Sequence, residues 1–336
     1  MPQLPPSIDS IRWVPGQGNH VESFFLKANN PKRPEQAFWL KFTLLDPGSA
    51  GTALAEVWAI RFAAAGGPHQ AAKLSRPASQ AQLSSSQIGF LLGDCQLQPG
   101  QTQGRVLGRE MEISWDLQFD YRNQRVMYGL PHRWMYDAAF PRNKVYSSCP
   151  NTRFRGRFTV ADENWEVKDW PGMLGHNWGK AHNPRYHWAQ CNLFEPEDCV
   201  FEAWSARIQL GPWLSPWLTG ATARLDGEEL SFNAVHKVLN RSLRFSPLNW
   251  SFETQHQDWR LRWQVSAPAA DFAGLRYLNP DGQQNFCLNS KIASCRLELW
   301  NRQGGRWQPR AQLKGERSCA YEILVPDNPF DIPILA

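Results

Sequence analysis

The chain of 336 residues lacks the marks of several large protein classes. No run approaches the roughly 18 consecutive apolar residues that a membrane-spanning helix needs. The opening MPQLPPSIDS has no basic stretch followed by an apolar one, so a signal peptide is not expected there. None of the seven cysteines forms a CxxC pair, and their odd number fits reduced thiols and a cytoplasmic location better than a disulfide framework. GxSxG, P-loop and Rossmann fingerprints are absent, which removes the common nucleophile and nucleotide signatures. No long segment shows capped helical spacing. Neither sign of charge dominates: 36 Lys and Arg oppose 31 Asp and Glu, for a net charge of +5. The densest basic patch, Arg153, Arg155 and Arg157, alternates with Phe154 and Phe158, reads as a solvated strand face, and comes with no nucleic-acid motif. Only Ser75 to Gln87, rich in Ser and Gln, is biased in composition, and it reads as a loop.

What the chain does have is tryptophan. There are 17, beside 18 Phe and only 7 Tyr. Trp closes barrel ends and lines pockets. With 42% hydrophobic and 20% charged residues the chain can build a substantial core. Its dominant period is two. Met111, Ile113, Trp115, Leu117 and Phe119 alternate with polar residues; so do Trp259, Leu261, Trp263 and Val265; and Phe38, Leu40, Phe42 and Leu44 alternate with Trp39, Lys41 and Thr43. Each run predicts a strand with one apolar face. Turn signals such as Asp46-Pro47-Gly48, Gly66-Gly67-Pro68, Asp226-Gly227 and Gly304-Gly305 separate them. Gly51 to Ala65 reads equally as a short helix or a strand. The expectation is an all-β chain of many antiparallel strands in barrels or sandwiches. Length favours two domains, and a soft boundary near Ser147 to Asn151 divides them into residues 1–150 and 151–336.

The stretch from Trp170 to Glu195, WPGMLGHNWGKAHNPRYHWAQCNLFE, gathers His176, His182, His187, Asn177 and Gln190 among aromatic rings. Polar groups set in aromatics are the composition of a small-molecule pocket. The histidine spacings match neither a helical HExxH pattern nor a zinc finger, so no metal is expected from them. If Tyr186 to Asn192 is a strand, Gln190 and Asn192 share a face with Tyr186 and Trp188, and Cys191 points the other way.

Two segments resemble the tocopherol cyclase family and its carotenoid 1,2-hydratase-like and AttH-like relatives. The first is ESFFLKANNPKRPEQAFWLKFTLLDP, Glu22 to Pro47. The second is HNWGKAHNPRYHWAQCNLF, His176 to Phe194, in which Asn177-Trp178-Gly179 and the Trp188, Gln190, Cys191, Asn192, Phe194 series match the cyclase pattern directly. Together they cover about 45 residues. The chain departs from the cyclases at His176, where they tend to carry lysine, and at His182, where they tend to carry Phe-Pro. Hydratase-like relatives carry an acid at the position of Asn177.

The resemblance implies two lipocalin-like antiparallel β-barrels packed together. It implies a cofactor-independent cyclase, hydratase or isomerase that works by acid catalysis on a hydrophobic isoprenoid, polyene or polyketide. The alternative is a non-catalytic carrier for a lipid or pigment. Acid catalysis needs a positioned acid of tuned pKa and aromatic faces for developing positive charge. His176, His182, Glu202 and Glu22 are the catalytic candidates. Glu202 shares its strand face with Val200, Trp204 and Ala206, where burial would raise its pKa. Glu22 shares a face with Phe24 and Leu26 and could instead pair with Lys41 on the next strand. Asn177, Trp178, Tyr186, Trp188, Gln190, Asn192, Phe24 and Lys41 are the substrate-binding candidates. No cofactor, metal or nucleic-acid partner is expected. A membrane-dissolved substrate would imply transient surface contact, for which Trp213, Leu214, Trp217 and Leu218 are the candidate patch.

Overall fold

The computed structural model describes residues 8–63, 68–108, 111–122, 125–194, 199–240 and 242–336. The first seven residues of the chain, Gly66 and Gly67 of one turn signal, and Glu195 at the end of the motif-rich stretch lie outside the described residues.

Every long element is a strand. The first sheet starts with β1 (His20–Asn30), β2 (Arg33–Asp46), β3 (Leu54–Phe62) and β4 (Gln70–Pro77). Shorter strands follow: β5 (Gln82–Leu83), β6 (Phe90–Leu92), β7 (Cys95–Gln98), β8 (Gln101–Leu107), β9 (Glu112–Phe119) and β10 (Met127–Tyr128). Two long strands, β11 (Asn143–Val160) and β12 (Glu163–Gly179), complete it. The spatial order is β4-β3-β2-β1-β12-β11-β9-β8-β7-β6-β5, with β10 beside β11.

The second sheet holds β13 (Arg185–Cys191), β14 (Val200–Arg207), β17 (Leu218–Leu225) and β18 (Glu228–Ser231), with β15 (Gln209–Leu210) and β16 (Trp213–Leu214) as a separate hairpin. It continues through β19 (Arg244–Ser246), β20 (Asn249–His256), β21 (Trp259–Ser266) and β22 (Ala273–Leu278). Its last members are β23 (Gln284–Gln303) and β24 (Arg306–Val325). The order is β18-β17-β14-β13-β24-β23-β21-β20-β19, with β22 also on β23. All pairings within the sheets are antiparallel, and each sheet curls around its own core as a lipocalin-like half-barrel. Gly51 to Ala65 contributes β3, a strand, because Val57 and Ala59 pack inward while Trp58 and Ile60 face the other barrel. The Ser75–Gln87 stretch carries the end of β4, a 3-10 turn and β5. The sheets part at residues 180–184, whereas Ser147 to Asn151 lies inside β11. No helix among the described residues is long and apolar enough to cross a membrane.

Alternation along the strands makes two interiors and a shared interface. Phe24, Leu26, Phe38, Leu40, Phe42 and Phe154 fill the first barrel. Phe201, Trp250, Phe252, Trp263 and Tyr321 fill the second. The intervening residues of β2 and β3, Trp39, Trp58, Ile60 and Phe62, pack on Leu275, Tyr277, Cys287, Ile292 and Leu324 of the second barrel. Met173, Trp188 and Ala320 form a smaller cluster at the same interface. Within the first sheet β12 packs tightly between β1 and β11 at Gly172, where an added Cβ would lie 2.2 Å from the Lys27 carbonyl oxygen and 2.6 Å from the Phe154 ring.

Candidate active-site cavity

A cavity of about 520 Å³ opens where the barrels meet. Phe25, Trp39 and Lys41 contribute from β1 and β2; Asn177 from β12; Tyr186 and Trp188 from β13. Trp204, Tyr277 and Glu322 close it from β14, β22 and β24. The mouth is apolar, with Met135, Phe140, Leu210 and Leu239 on it.

The polar groups gather at one end. Lys41 is buried, and its Nζ lies 3.8 Å from the centre of the Tyr277 ring and 5.9 Å from that of Trp39. Among the described residues no carboxylate lies within ion-pair distance of it, and burial pulls its pKa down to about 8. His182 sits in the loop between β12 and β13. Its Nδ1 lies 2.9 Å from Asn279 Oδ1, which also accepts the His182 backbone N–H at 3.1 Å. An amide oxygen only accepts, so Nδ1 carries the proton and Nε2 is an acceptor. Burial, and then the charge of Lys41, push the His182 pKa down to about 3, so the ring is neutral near pH 7.

Two buried polar atoms of this lining have no partner among the described residues: His182 Nε2 and Trp39 Nε1. One accepts and the other donates. An unsatisfied buried polar atom costs about 1–3 kcal/mol.

Glu322 is committed to its neighbours. Its Oε1 accepts from Lys291 Nζ at 2.7 Å and Asn289 Nδ2 at 3.1 Å, and Tyr186 Oη donates to Oε2 at 3.4 Å. Burial raises the Tyr186 and Tyr277 pKa values well above normal, so both phenols stay protonated. The Lys291 ammonium also lies 5.6 Å from the Trp188 ring centre. Lys41 is thus the ammonium that lines the cavity end, and Lys291 lies behind Glu322 and Trp188.

The sequence candidates divide between this cavity and other places. Asn177, His182, Tyr186, Trp188 and Lys41 line it. Glu202 lies directly behind it: Oε1 accepts from Trp188 Nε1 at 2.9 Å and Oε2 from Ser147 Oγ at 2.6 Å. Burial raises its pKa against the opposing pull of those two bonds, as the sequence predicts.

His176, Glu22, Phe24 and Trp178 lie on the other face of β1 and β12, towards the interior of the first barrel. His176 Nε2 lies 2.8 Å from Glu22 Oε1, and its Nδ1 lies 2.9 Å from Tyr146 Oη. Phe24 stacks on its ring at 4.1 Å, and Trp178 lies 4.8 Å away. Glu22 also accepts the backbone N–H groups of Arg12 and Trp13 and bonds His20. Burial would raise its pKa, but the bonds and charges of His176 and His20 outweigh that and hold it at about 2. This network ties the segment before β1 to the barrel end.

The expected Glu22–Lys41 pair does not form. Lys41 stands opposite Phe25 and Glu22 opposite Leu44, so the two side chains leave opposite faces of the sheet. The same alternation separates His176 from Asn177: two neighbours on one strand cannot both face the cavity. Gln190 and Asn192 share the Trp188 face, as expected, but fasten the barrels together. Gln190 Nε2 donates to the Pro150 carbonyl at 3.0 Å, and Asn192 donates to the Gly172 carbonyl while accepting from Lys27 Nζ at 3.1 Å.

Sequence reasoning missed Trp39, Trp204, Tyr277, Asn279, Lys291 and Glu322. Trp39 and Trp204 carried a signal, since each sits among the residues that alternate with a barrel-interior face. The others come from β22 to β24, far along the chain and outside both motifs.

No curated protein matches the chain. Among solved structures, a protein assigned as AttH from Nitrosomonas europaea is similar, with a TM-score of 0.57 and 12% identity over 96% of this chain and 99% of that one. CghA, solved with Sch210972, is similar with a TM-score of 0.52 and 9% identity over 91% of this chain and 88% of CghA. At such identities these likenesses speak for the fold alone. Residues 150–323, slightly more than half of the chain, match the model of the tocopherol cyclase-like family. With its motifs, paired half-barrels and that match taken together, the chain belongs to the tocopherol cyclase-like family.

Proposed function

We propose that the protein is a cyclase-like enzyme that takes a hydrophobic isoprenoid or polyene with an oxygen-bearing head into the cavity between its barrels. The observation that carries this reading is the buried Lys41 ammonium, without a carboxylate partner among the described residues, beside Tyr277, Trp39 and His182 at one end of an otherwise apolar cavity. That arrangement suits an oxygen-bearing head group. The aromatic walls suit a chain whose charge turns positive during reaction. Family membership supports catalysis, and CghA's structure with Sch210972 supports organic-ligand binding in this fold.

In this reading Lys41 is the acid. With a pKa near 8 it is protonated at neutrality yet gives its proton up more readily than an ordinary lysine. Closing a ring between a hydroxyl and a double bond adds a proton to carbon and removes one from oxygen. Lys41 supplies the first proton, and its neutral amine takes back the second as the C–O bond forms. His182 Nε2 accepts the hydroxyl hydrogen bond and aims the oxygen. Glu202 holds the Trp188 ring in place. Water in place of the internal hydroxyl would turn ring closure into hydration.

The exposed rings and aliphatic chains beside the mouth fit delivery from a lipid surface. Trp213 is 76% exposed and Trp134 65% exposed, and Phe140, Leu210 and Leu239 stand with them.

The test is mass spectrometry of an organic extract of the purified protein, followed by incubation of the emptied protein with the compound recovered and with prenylated quinols. Conversion to an isomer or hydrate supports the enzyme. Tight uptake without conversion supports the carrier. No uptake of either compound class sinks both readings.

A further inference from the structure

Three thiols meet inside the second barrel, away from the cavity. Cys191 ends β13, Cys295 lies on β23 and Cys319 on β24, all buried, with their Sγ atoms within 4.8 Å of one another. Ser318 joins them, with Oγ 3.8 Å from Cys191 Sγ. Breaks in the β23–β24 register between Ser290 and Cys295, and a left-handed residue at Arg317 (φ 51°), turn Ser318 and Cys319 towards the other two thiols.

Gly315 of β24 backs this group without a side chain. A Cβ placed there would lie 2.7 Å from Cys191 Sγ, 2.9 Å from Cys295 Sγ and 3.1 Å from Ser318 Oγ. Two of those distances are below 3.0 Å, so a side chain at residue 315 would be driven into the thiols, and only glycine lets this strand pack against them.

Lys27 supplies a second observation. Its ammonium is buried, and its hydrogen bonds go to three neutral oxygens, on Asn29, Asn192 and the Ser318 carbonyl. A buried charge calls for a counter-charge. Three thiolates around a divalent cation sum to one negative charge, which the ammonium balances.

We propose that Cys191, Cys295 and Cys319, with Ser318 Oγ as fourth ligand, form a closed structural zinc site in the second barrel. Binding replaces the three thiol protons, which leave to solvent, and involves no oxidation. A tetrahedral site with Zn–S bonds of about 2.3 Å has ligands about 3.8 Å apart, so no sulfur pair has to move inward by more than about 1 Å. The site fastens β13, β23 and β24, and the opposite faces of β13 and β24 present Trp188 and Glu322 to the cavity. Separations of this size along the chain form no motif, which is why the sequence reading expects no metal.

The test is zinc content and sulfur coordination of the full-length protein, refolded under reducing conditions with zinc alone. The expected result is about one zinc per chain, with three sulfur neighbours at about 2.3 Å in X-ray absorption. Cys295→Ala should lose the metal, and Cys149→Ala, in the other barrel, should keep it. The wild-type measurement stands even if Cys295→Ala fails to fold. No zinc in the refolded wild type, fewer than three sulfur ligands, or a Cys191–Cys319 disulfide in a peptide map of the native protein would each overturn the proposal.

Discussion

Replacing Lys41 by methionine should leave the protein more stable and nearly inactive. The Lys41 pKa falls from 10.5 to about 8, so keeping the ammonium charged at pH 7 costs the folded state about 3 kcal/mol. The Tyr277 ring at 3.8 Å offsets part of the desolvation and is contained in that shift. Methionine keeps the chain length without the charge, so Lys41→Met should gain up to about 3 kcal/mol in urea unfolding at pH 7. The sign with pH follows from linkage. Below about pH 8 the lysine is charged in both states and the variant's advantage is complete. Between 8 and 10.5 the unfolded wild type holds more protons than the folded one, so wild-type stability rises and the advantage disappears. Lys27, also held at about 8, contributes equally to both proteins and cancels in the comparison. Turnover of the compound recovered from the cavity should fall by about 100-fold or more, and wild-type turnover should decline as pH rises through about 8. Unchanged turnover in the variant, or a loss of more than about 2 kcal/mol, would refute the reasoning.

Three further outcomes are expected. Glu22→Gln removes a carboxylate that accepts four groups, and should cost about 2–4 kcal/mol at pH 7 in urea unfolding. Because Glu22 is held at about 2, its contribution is complete above about 4.5 and is lost as pH falls through 2, so the variant's deficit should shrink in acid. Gly172→Ala drives a methyl against the Lys27 carbonyl and the Phe154 ring, neither of which can retreat; calorimetry should show a loss of about 3 kcal/mol or more. Changing Trp134 and Trp213 together to alanine should weaken cosedimentation with anionic lipid vesicles while leaving the unfolding midpoint unchanged, since both rings are already in solvent.

The fold was legible because a strand's period of two writes its faces into the sequence. Met111 to Phe119, Trp259 to Val265 and Phe38 to Leu44 each occupy the strands that their alternation predicts. The same rule placed Trp188, Gln190 and Asn192 on one face and Cys191 on the other. It also put Glu202 on an apolar strand face, where burial raises its pKa.

What alternation cannot say is which face of a strand looks into a barrel and which looks at the neighbouring barrel, since both are apolar here. That choice put His176 and Glu22 in the first barrel's interior and left Asn177 on the cavity. It also turned Lys41 away from Glu22 and onto Tyr277, a residue 236 positions later on β22. The composition and local pattern of the chain determined its strands, their two-faced character and its family motifs. Only the tertiary structure decided which polar groups share the cavity, because that depends on how two closed sheets are set against each other, and long-range packing leaves no local trace.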